Sequence, residues 1–329
     1  ELIIPTGHAK TVTNVLYTTD GKFILSSSEN VVKVWERSSG RLLKNIVCKW
    51  GEKVPVVVDM DASPDGKTIA IATYRNIHFF SLEDLIVKKE MHFDEIEKVL
   101  YSKDGSHLIV AMGDDIKTIA KLDVSAGTSS TIFTFKKVKE ESDISNLSLN
   151  SDGKQLLVCM NKDGSALLNS NSGELIKMIP SDKRVIAFTP EGNLLGITKG
   201  TESYTVNFDW LDPATLQSKW HAVLNFRKEN DGVFDWLLYE YTNLKNQCVF
   251  NPMNNDLVVS SEKHIFTINF SNQTVAQLKY TGKNFNKAVA IAKDGKNITI
   301  GNDLPEVFEY SLLNQGIKHI YGSSVFVTE

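Results

Sequence analysis

The feature that most constrains the fold is a hairpin turn that recurs along the chain at nearly constant spacing. Asp-Gly between two apolar runs is a strong signal for a tight β-hairpin, because the central residues of the turn need positive φ. The turn or a close variant occurs at seven positions: Asp20-Gly21, Asp65-Gly66, Asp104-Gly105, Asp152-Gly153, Glu191-Gly192, Asn254-Asn255 and Asp294-Gly295. Successive turns lie 39 to 48 residues apart, except for one step of 63 residues. Such a period indicates the blades of a propeller.

Residues 12–47 indicate what one repeat contains. Four short apolar runs follow one another, and each of the first three ends in a turn signal such as Ser38-Ser39-Gly40. A single four-stranded sheet has open edges and too little core to be stable alone, so it needs neighbours of the same kind. The sequence therefore predicts an all-β fold, a seven-bladed β-propeller of four-stranded antiparallel blades.

The first repeat resembles a WD repeat. Gly7-His8 is followed by Asp20-Gly21-Lys22 and then by Lys33-Val34-Trp35-Glu36, with Glu where that family usually has Asp. The fourth repeat keeps its turns but has Leu168-Asn169 in place of Trp-Asp, and the other repeats lack both signature pairs. The chain thus resembles the WD40 β-propellers as a family, without pointing to a specific member.

This resemblance implies a buried hydrogen-bond network in the first blade. In the family, such a network joins His, Ser, Trp and an acidic residue. By position, the members here are His8, Ser27 and Trp35, with Glu29 or Asn30 as the acidic partner. The other blades, which lack these residues, are expected to depend on apolar packing.

The pattern predicts one propeller over residues 1–329. Its blades are expected near 12–47, 55–91, 97–135, 144–179, 184–226, 244–280 and 286–321, with an insertion at 227–243. Strand-like residues remain at both ends, at Leu2-Ile3-Ile4-Pro5 and Ser324-Val325-Phe326-Val327. Two interpretations stay open: terminal strands overlap where the ring closes, or the propeller is part of a longer chain.

The insertion supplies the candidate binding residues. In propellers, the link from the outermost strand to the next innermost strand crosses the top face, beside the central channel. Aromatic residues and Arg at such a rim are typical of interaction hot spots. The candidates are Trp50, in the linker before blade two, and Arg227, Phe234, Trp236, Tyr239 and Tyr241, in or beside the insertion. The alternative is that these side chains cap the channel or pack against blade six.

Charge and hydropathy argue against two classes of partner. The net charge is −4 and the pI is about 6.0, which disfavours non-specific binding to nucleic acid or to an anionic membrane. The sequence contains no run of 18 apolar residues, so no transmembrane helix is predicted. Three separated cysteines, Cys48, Cys159 and Cys248, are typical of buried free thiols in a reducing compartment, so a cytoplasmic location is expected.

Catalytic and cofactor motifs are not recognisable. The chain has no G-x-S-x-G elbow, no H-E-x-x-H, no glycine-rich phosphate loop and no paired Cys motif, so no catalytic, metal or cofactor residue is predicted. Asp59 and Asp61 alternate on one strand, as a metal-binding pair would, but a position on an innermost strand explains them equally well.

The leading functional interpretation is a non-enzymatic scaffold that presents its top face to a protein or peptide. The first alternative is an accessory propeller of a larger enzyme or signalling protein, such as a peptidase, with its chemistry on another segment. The second alternative is a propeller that catalyses at its channel, which would need carboxylates or histidines clustered at the axis.

Overall fold

The computed structural model describes residues 7–49, 55–113, 115–135, 139, 142–202, 205–225, 248–261, 264–279 and 286–322. The described strands form seven four-stranded antiparallel sheets, and each sheet consists of four consecutive strands. The prediction of a seven-bladed, all-β propeller is therefore confirmed.

The first three blades fall on the first three hairpin repeats. Their strands are β1 (Asn14–Tyr17), β2 (Phe23–Ser28), β3 (Val31–Glu36) and β4 (Leu42–Val47) in blade one; β5 (Val57–Ala62), β6 (Thr68–Thr73), β7 (Asn76–Ser81) and β8 (Ile86–His92) in blade two; and β9 (Ile96–Tyr101), β10 (His107–Met112), β11 (Thr118–Asp123) and β12 (Ser129–Thr134) in blade three.

Blades four to seven repeat the same order, with one turn of 3₁₀ helix at Ser181–Lys183 between blades four and five. Their strands are β13 (Ile144–Leu149), β14 (Gln155–Met160), β15 (Ser165–Asn169) and β16 (Leu175–Ile179); β17 (Val185–Phe188), β18 (Leu194–Lys199), β19 (Thr205–Leu211) and β20 (Ser218–Asn225); β21 (Cys248–Phe250), β22 (Leu257–Ser261), β23 (His264–Asn269) and β24 (Thr274–Gln277); and β25 (Asn286–Ile291), β26 (Asn297–Asn302), β27 (Val307–Ser311) and β28 (Gly316–Tyr321).

The first strand of each blade lies at the hub of the ring. The first strands that contact one another are β1 with β5, β5 with β9, β9 with β13, β13 with β17, β21 with β25, and β25 with β1. We call the face at which these strands begin the top face; it also carries the turns between second and third strands. The bottom face carries the Asp-Gly turns.

The Asp-Gly turns are held by a repeated side-chain arrangement. Thr18 Oγ1 donates to Asp20 Oδ1 at 2.6 Å, and the same carboxylate accepts the Lys22 backbone N–H at 3.0 Å. Gly21 has φ 69°, a left-handed conformation that glycine adopts without a steric penalty. Ser102 and Ser106 bind Asp104 in the same way, and these hydrogen bonds lower the pKa of that carboxyl to about 2.

The core consists of apolar clusters between neighbouring blades. Strand alternation sends one set of side chains toward each adjacent blade. Leu25 and Val34 of blade one, for example, pack in one cluster with Ile69 and Phe80 of blade two, and all four are fully buried. Each such side chain contributes about 1.5 to 3 kcal/mol by its burial. The other blade interfaces have equivalent clusters, so each blade is stabilised chiefly by its two neighbours.

The outer edges carry β-bulges. In the pairing of third and fourth strands, the register shifts by one residue in blades one, two, three, four, five and seven. A bulge twists an edge strand and interrupts its row of pairing groups, which hinders edge-to-edge association. The blades therefore keep their outer strands from pairing with other chains, although those strands expose apolar residues such as Ile176 and Ile317.

Side chains on the hub strands bind the backbone of the next blade. The Val99 N–H donates to Asp59 Oδ2 at 2.9 Å, and the Tyr101 N–H donates to Asp61 Oδ2 at 2.7 Å. In the same manner, Asn146 Nδ2 donates to the carbonyl of Ile186 at 2.9 Å. The alternating carboxylates of β5 thus satisfy backbone donors of β9, a role that accounts for them without a metal.

We expect the Asp59→Ala variant to lose about 1 to 3 kcal/mol of unfolding free energy, because it leaves the buried Val99 N–H without this acceptor. Urea unfolding followed by circular dichroism measures the change. The exposed Asp84→Ala variant is the control and should lie within about 0.5 kcal/mol of the wild type. Equal stabilities of the two variants would contradict the bridging role of Asp59.

Blades one and seven close the ring through backbone and apolar contacts. The Val12 N–H donates to the Asn302 carbonyl at 2.9 Å. Trp35 and Tyr321 pack with their ring centroids 5.8 Å apart, and both are fully buried. Gly7 lies against Gly322 so closely that a Cβ on Gly7 would lie 2.8 Å from the Gly322 oxygen. This approach requires a residue without a side chain.

A buried carboxylate lies at the same junction. Glu309 of blade seven has a side chain that is only 1% exposed, and its Oε1 accepts from Arg37 Nε of blade one at 2.7 Å. Tyr17 donates its hydroxyl to the same oxygen at 3.1 Å, and Lys318 Nζ lies 3.5 Å from Oε2. Burial raises the pKa of Tyr17, which therefore remains a hydroxyl donor. The first and last blades are thus joined by an ion pair whose carboxylate is buried and whose guanidinium is largely buried.

Candidate functional site

A site with accessible apolar surface lies on the top face, where blades one to four meet around the hub. A cavity of about 410 Å³ opens there. Its lining residues are Thr13, Asn14, Val56, Val57, Val58, Tyr74, Ile96, Glu97, Lys98, Gly113, Lys117, Asp143 and Ile144. We call this site the blade 1–4 mouth.

Exposed apolar side chains form the rim of the mouth: Val56 and Tyr74 line the cavity, and Ile116 directly precedes the lining residue Lys117. Val56 is 52% exposed, Tyr74 43% and Ile116 62%. Val56 directly precedes β5, Tyr74 lies in the turn between β6 and β7, and Ile116 lies in the loop between β10 and β11. That loop depends on Gly113, which has φ 114° and lies so close to the Ile116 carbonyl that a Cβ would collide with it at 1.9 Å. The tight loop keeps Ile116 exposed.

A nearly buried lysine organises the polar side of the mouth. The Lys117 ammonium pairs with Glu97, lies 3.2 Å from Asp143 Oδ1 and donates to the Gly113 carbonyl at 2.7 Å. The second oxygen of Glu97 accepts the Ile144 N–H at 2.7 Å. Burial lowers the pKa of Lys117, but the hydrogen bonds and charges of Glu97 and Asp143 together outweigh this effect, and the pKa lies above its ordinary value. Lys117 therefore stays charged and connects Glu97 and Gly113 of blade three to Asp143, which directly precedes the first strand of blade four.

The segments around the mouth are rich in carboxylates. The Glu29 carbonyl accepts the Val57 N–H at 2.7 Å, and the Glu95 carbonyl accepts the Gly113 N–H at 2.9 Å, so both residues adjoin the cavity. The segments 29–30, 74–75, 94–98, 115–117 and 143–144 contain six carboxylates, Glu29, Asp94, Glu95, Glu97, Asp115 and Asp143, and three cations, Arg75, Lys98 and Lys117. This part of the top face therefore has net negative charge.

The hydrogen-bond network of blade one differs from the expected one in its serine. His8 Nε2 is 2.7 Å from Ser26 Oγ, and Trp35 Nε1 donates to the same oxygen at 2.9 Å. Ser27 instead accepts from Asn14 Nδ2 at 2.9 Å. Trp35 pairs with Ile24 in the strand register, so only Ser26, two residues from Ile24, shares its face. The sequence assignment of Ser27 to the network was therefore wrong by one residue. Ser26 takes this role, and Ser27 points to the opposite face of the strand.

Neither proposed acidic partner joins this network in the described part of the chain. Asn30 donates its amide to the Cys48 carbonyl at 3.0 Å, and Glu29 lies at the turn with φ 50°. In the other six blades, the position equivalent to Trp35 in the register holds a buried residue without this network: Phe80, Leu122, Leu168, Leu211, Ile268 and Tyr310. Apolar packing takes over its role there.

The network makes the stability of the protein depend on pH. Burial, together with the charge of Lys33, lowers the pKa of His8 to about 3, against the opposing effect of its hydrogen bond with Ser26. Because the unfolded pKa is about 6.5, the unfolded chain takes up the proton first. The stabilisation that the protein gains from the buried neutral His8 is complete above about pH 6.5. As the pH falls from 6.5 toward 3, the free energy of unfolding decreases by about 1.4 kcal/mol per pH unit.

Urea unfolding at about pH 7.5 and about pH 5 tests this prediction on the wild type and the His8→Gln variant. Between these pH values, we expect the wild type to lose about 2 kcal/mol more than the variant, which has no titrating group at this position. An equal loss in both proteins would show that His8 does not titrate as stated.

The six candidate binding residues of the sequence analysis lie outside the described residues. These are Trp50, Arg227, Phe234, Trp236, Tyr239 and Tyr241. The mouth consists of different residues, which sequence reasoning missed because they come from four blades. The usable signal was the presence of Tyr74 and Ile116 in short turns, where polar residues and glycine are usual.

Two kinds of functional feature are absent from the described residues. No group of three or more His, Cys, Asp or Glu side chains in these residues is arranged to hold a metal ion. Among the same residues, no helix is long and apolar enough to cross a membrane.

Seven four-stranded blades around a common hub define the molecule as a seven-bladed β-propeller. Residues 2–36 match the family model described as "WD domain, G-beta repeat". The β-propeller domain of Cps50 (Swd1) from Myceliophteria thermophila is similar in structure, with a TM-score of 0.66 over 96% of this chain and 98% of that one, at 12% identity. No curated protein matches the chain. The protein therefore has the fold of a WD40 β-propeller, and its first repeat is a WD repeat.

Proposed function

We propose that this protein is a non-enzymatic interaction scaffold that binds a protein or peptide through its top face. The observation that carries the proposal is the set of exposed apolar side chains at the blade 1–4 mouth: Val56 and Tyr74 line the cavity, and Ile116 directly precedes the lining residue Lys117. WD40 propellers are generally protein-interaction scaffolds, which agrees with this assignment.

Rigidity supports the proposal. The rim turns are tied to the hub strands by backbone hydrogen bonds, such as that from the Ile96 N–H to the Tyr74 carbonyl at 2.9 Å. A surface that is already ordered loses little conformational entropy when a partner binds, so more of the contact energy appears as affinity. Aromatic side chains on such a frame are effective anchors.

The proposal extends to the candidate residues of the sequence analysis. Trp50 precedes blade two, and Arg227, Phe234, Trp236 and Tyr239 belong with Tyr241 to the segment between blades five and six. Both segments connect an outer strand to the next hub strand, the type of link that crosses the top face. We propose that these residues also contribute to partner binding.

The test is capture of partners from a lysate by immobilised protein, with quantitative mass spectrometry. The Tyr74→Ala/Ile116→Ser variant should retain at least about tenfold less of any specific partner, since central hot-spot residues contribute about 1 to 2 kcal/mol or more each. Leu313→Ser, at a 72% exposed position between β27 and β28 on the bottom face, is the matched control. Equal capture by all three proteins would refute binding through the mouth.

A second pair of variants tests the segments that carry the remaining candidates. Trp50→Ala and Trp236→Ala should each reduce capture of the same partner if these residues belong to the binding surface. Unchanged capture by both would restrict the surface to the mouth.

A further inference from the structure

We propose that the blade 1–4 mouth binds a protein segment in which an apolar side chain lies beside lysine or arginine. This inference rests on the proposed function and deepens it, because it states the chemistry of the partner. It depends on two features of the site, a preformed apolar rim and an excess of carboxylates.

The apolar rim provides a place for one side chain of the partner. The cavity of about 410 Å³ falls in the range of ordinary ligand pockets. Val56, Tyr74 and Ile116 come from three separate segments, and the hydrogen bonds from Val57 to Glu29 and from Ile96 to Tyr74 fix the first two segments to their neighbours. An aliphatic or aromatic side chain that enters the cavity beside Val56 and Tyr74 removes apolar surface of both partners from water.

The charge at the rim selects the residues next to that side chain. Glu97 uses both oxygens within the protein, on Lys117 and on the Ile144 N–H, and so is already compensated. Asp143 also contacts Lys117 but is 57% exposed, which leaves it accessible to a partner. Glu29 and Asp115 are exposed on either side of the mouth.

A basic segment is therefore attracted and an acidic one repelled. Arg75 pairs with Asp94 at 3.4 Å and Lys117 pairs with Glu97, and the three cations of the segments around the mouth offset only half of their six carboxylates. Complementary charge raises the association rate and suppresses partners of the same sign. A second copy of this chain is a poor occupant for the same reason, since its net charge is −4.

The experiment uses three fluorescein-labelled peptides on one Gly-Ser scaffold, with central Arg-Leu-Lys, Arg-Ser-Lys or Glu-Leu-Glu. Fluorescence anisotropy against the full chain measures their dissociation constants. We expect the Arg-Leu-Lys peptide to bind at least about tenfold more tightly than either of the others. Its binding should weaken as salt is raised, because the exposed carboxylates are screened.

Variants assign the binding to the mouth. Tyr74→Ala should weaken the Arg-Leu-Lys peptide about tenfold, and Asp143→Asn about threefold with a smaller salt dependence. Leu313→Ser on the bottom face should leave the affinity unchanged. Circular dichroism melts of all variants verify the fold, and none of the substituted side chains is buried.

Several results would overturn the inference: no binding of the Arg-Leu-Lys peptide, equal binding of the three peptides, preference for Glu-Leu-Glu, or indifference to Tyr74→Ala. Self-association in sedimentation velocity that Tyr74→Ala abolishes would assign the mouth to a second copy and also overturn it. If the peptides fail while partner capture still depends on Tyr74, the inference is wrong and the proposed function stands. If capture is also independent of Tyr74, both are wrong.

Discussion

Replacing Trp35 with alanine is expected to lower the free energy of unfolding by about 3 to 5 kcal/mol. Trp35 is fully buried among Val12, Ile24, Val307 and Tyr321, where blades one and seven meet. Its removal leaves a cavity that the two sheets cannot fill, since their backbones are fixed by strand pairing on both sides.

The indole N–H adds a second contribution. Trp35 Nε1 donates to Ser26 Oγ, which also binds His8. Trp35→Phe removes this donor together with the five-membered ring, so it should cost about 1 to 3 kcal/mol, less than Trp35→Ala. The difference between the two variants measures the packing of the six-membered ring.

Urea unfolding followed by far-ultraviolet circular dichroism measures both variants against the wild type. Leu313→Ser, which changes an exposed apolar residue on the bottom face, is the control and should differ by less than about 0.5 kcal/mol. A Trp35→Ala protein with an unchanged melting temperature would refute the core position of this side chain.

The second large effect is expected at the ion pair that closes the ring. Glu309→Ala should cost about 3 to 5 kcal/mol, because it leaves the largely buried Arg37 guanidinium without its partner. Tyr17 also loses the acceptor of its hydroxyl. Because buried charges are screened little, the loss should persist at high salt.

A double-mutant cycle identifies the source of this effect. Arg37→Met combined with Glu309→Gln removes both charges and keeps similar volumes, so it should destabilise by clearly less than the sum of the single variants. The exposed pair of Lys88 with Asp84 is a control whose disruption should cost less than about 0.5 kcal/mol. If the free-energy changes of the two single variants add up to that of the double variant, Arg37 and Glu309 are not coupled.

The seven blades were predictable because the interactions that define them are local. The hydroxyl of Thr18, the carboxylate of Asp20 and the positive φ of Gly21 form one turn within four residues, and equivalent sequences recur. Apolar alternation on either side then implies strands, so the number of turns gave the number of blades. The same local reasoning placed Trp35 in the first blade.

Side-chain partners could not be obtained in the same way. The sequence contains Ser26 and Ser27 side by side, and only the register of β2 against β3 shows that Ser26 faces Trp35. Asp59 and Asp61 resembled a metal pair because their true partners, the backbone N–H groups of β9, are 40 residues further along the chain.

By itself, the sequence determined the β-propeller class, the seven blades and the WD character of the first, because each depends on turns and alternation that a short segment encodes. Only the tertiary structure decided how the ring closes and where the blade 1–4 mouth lies. Arg37 and Glu309 are 272 residues apart, and Val56, Tyr74 and Ile116 belong to different segments. Such contacts exist only after the hub has brought distant blades together, so no local pattern records them.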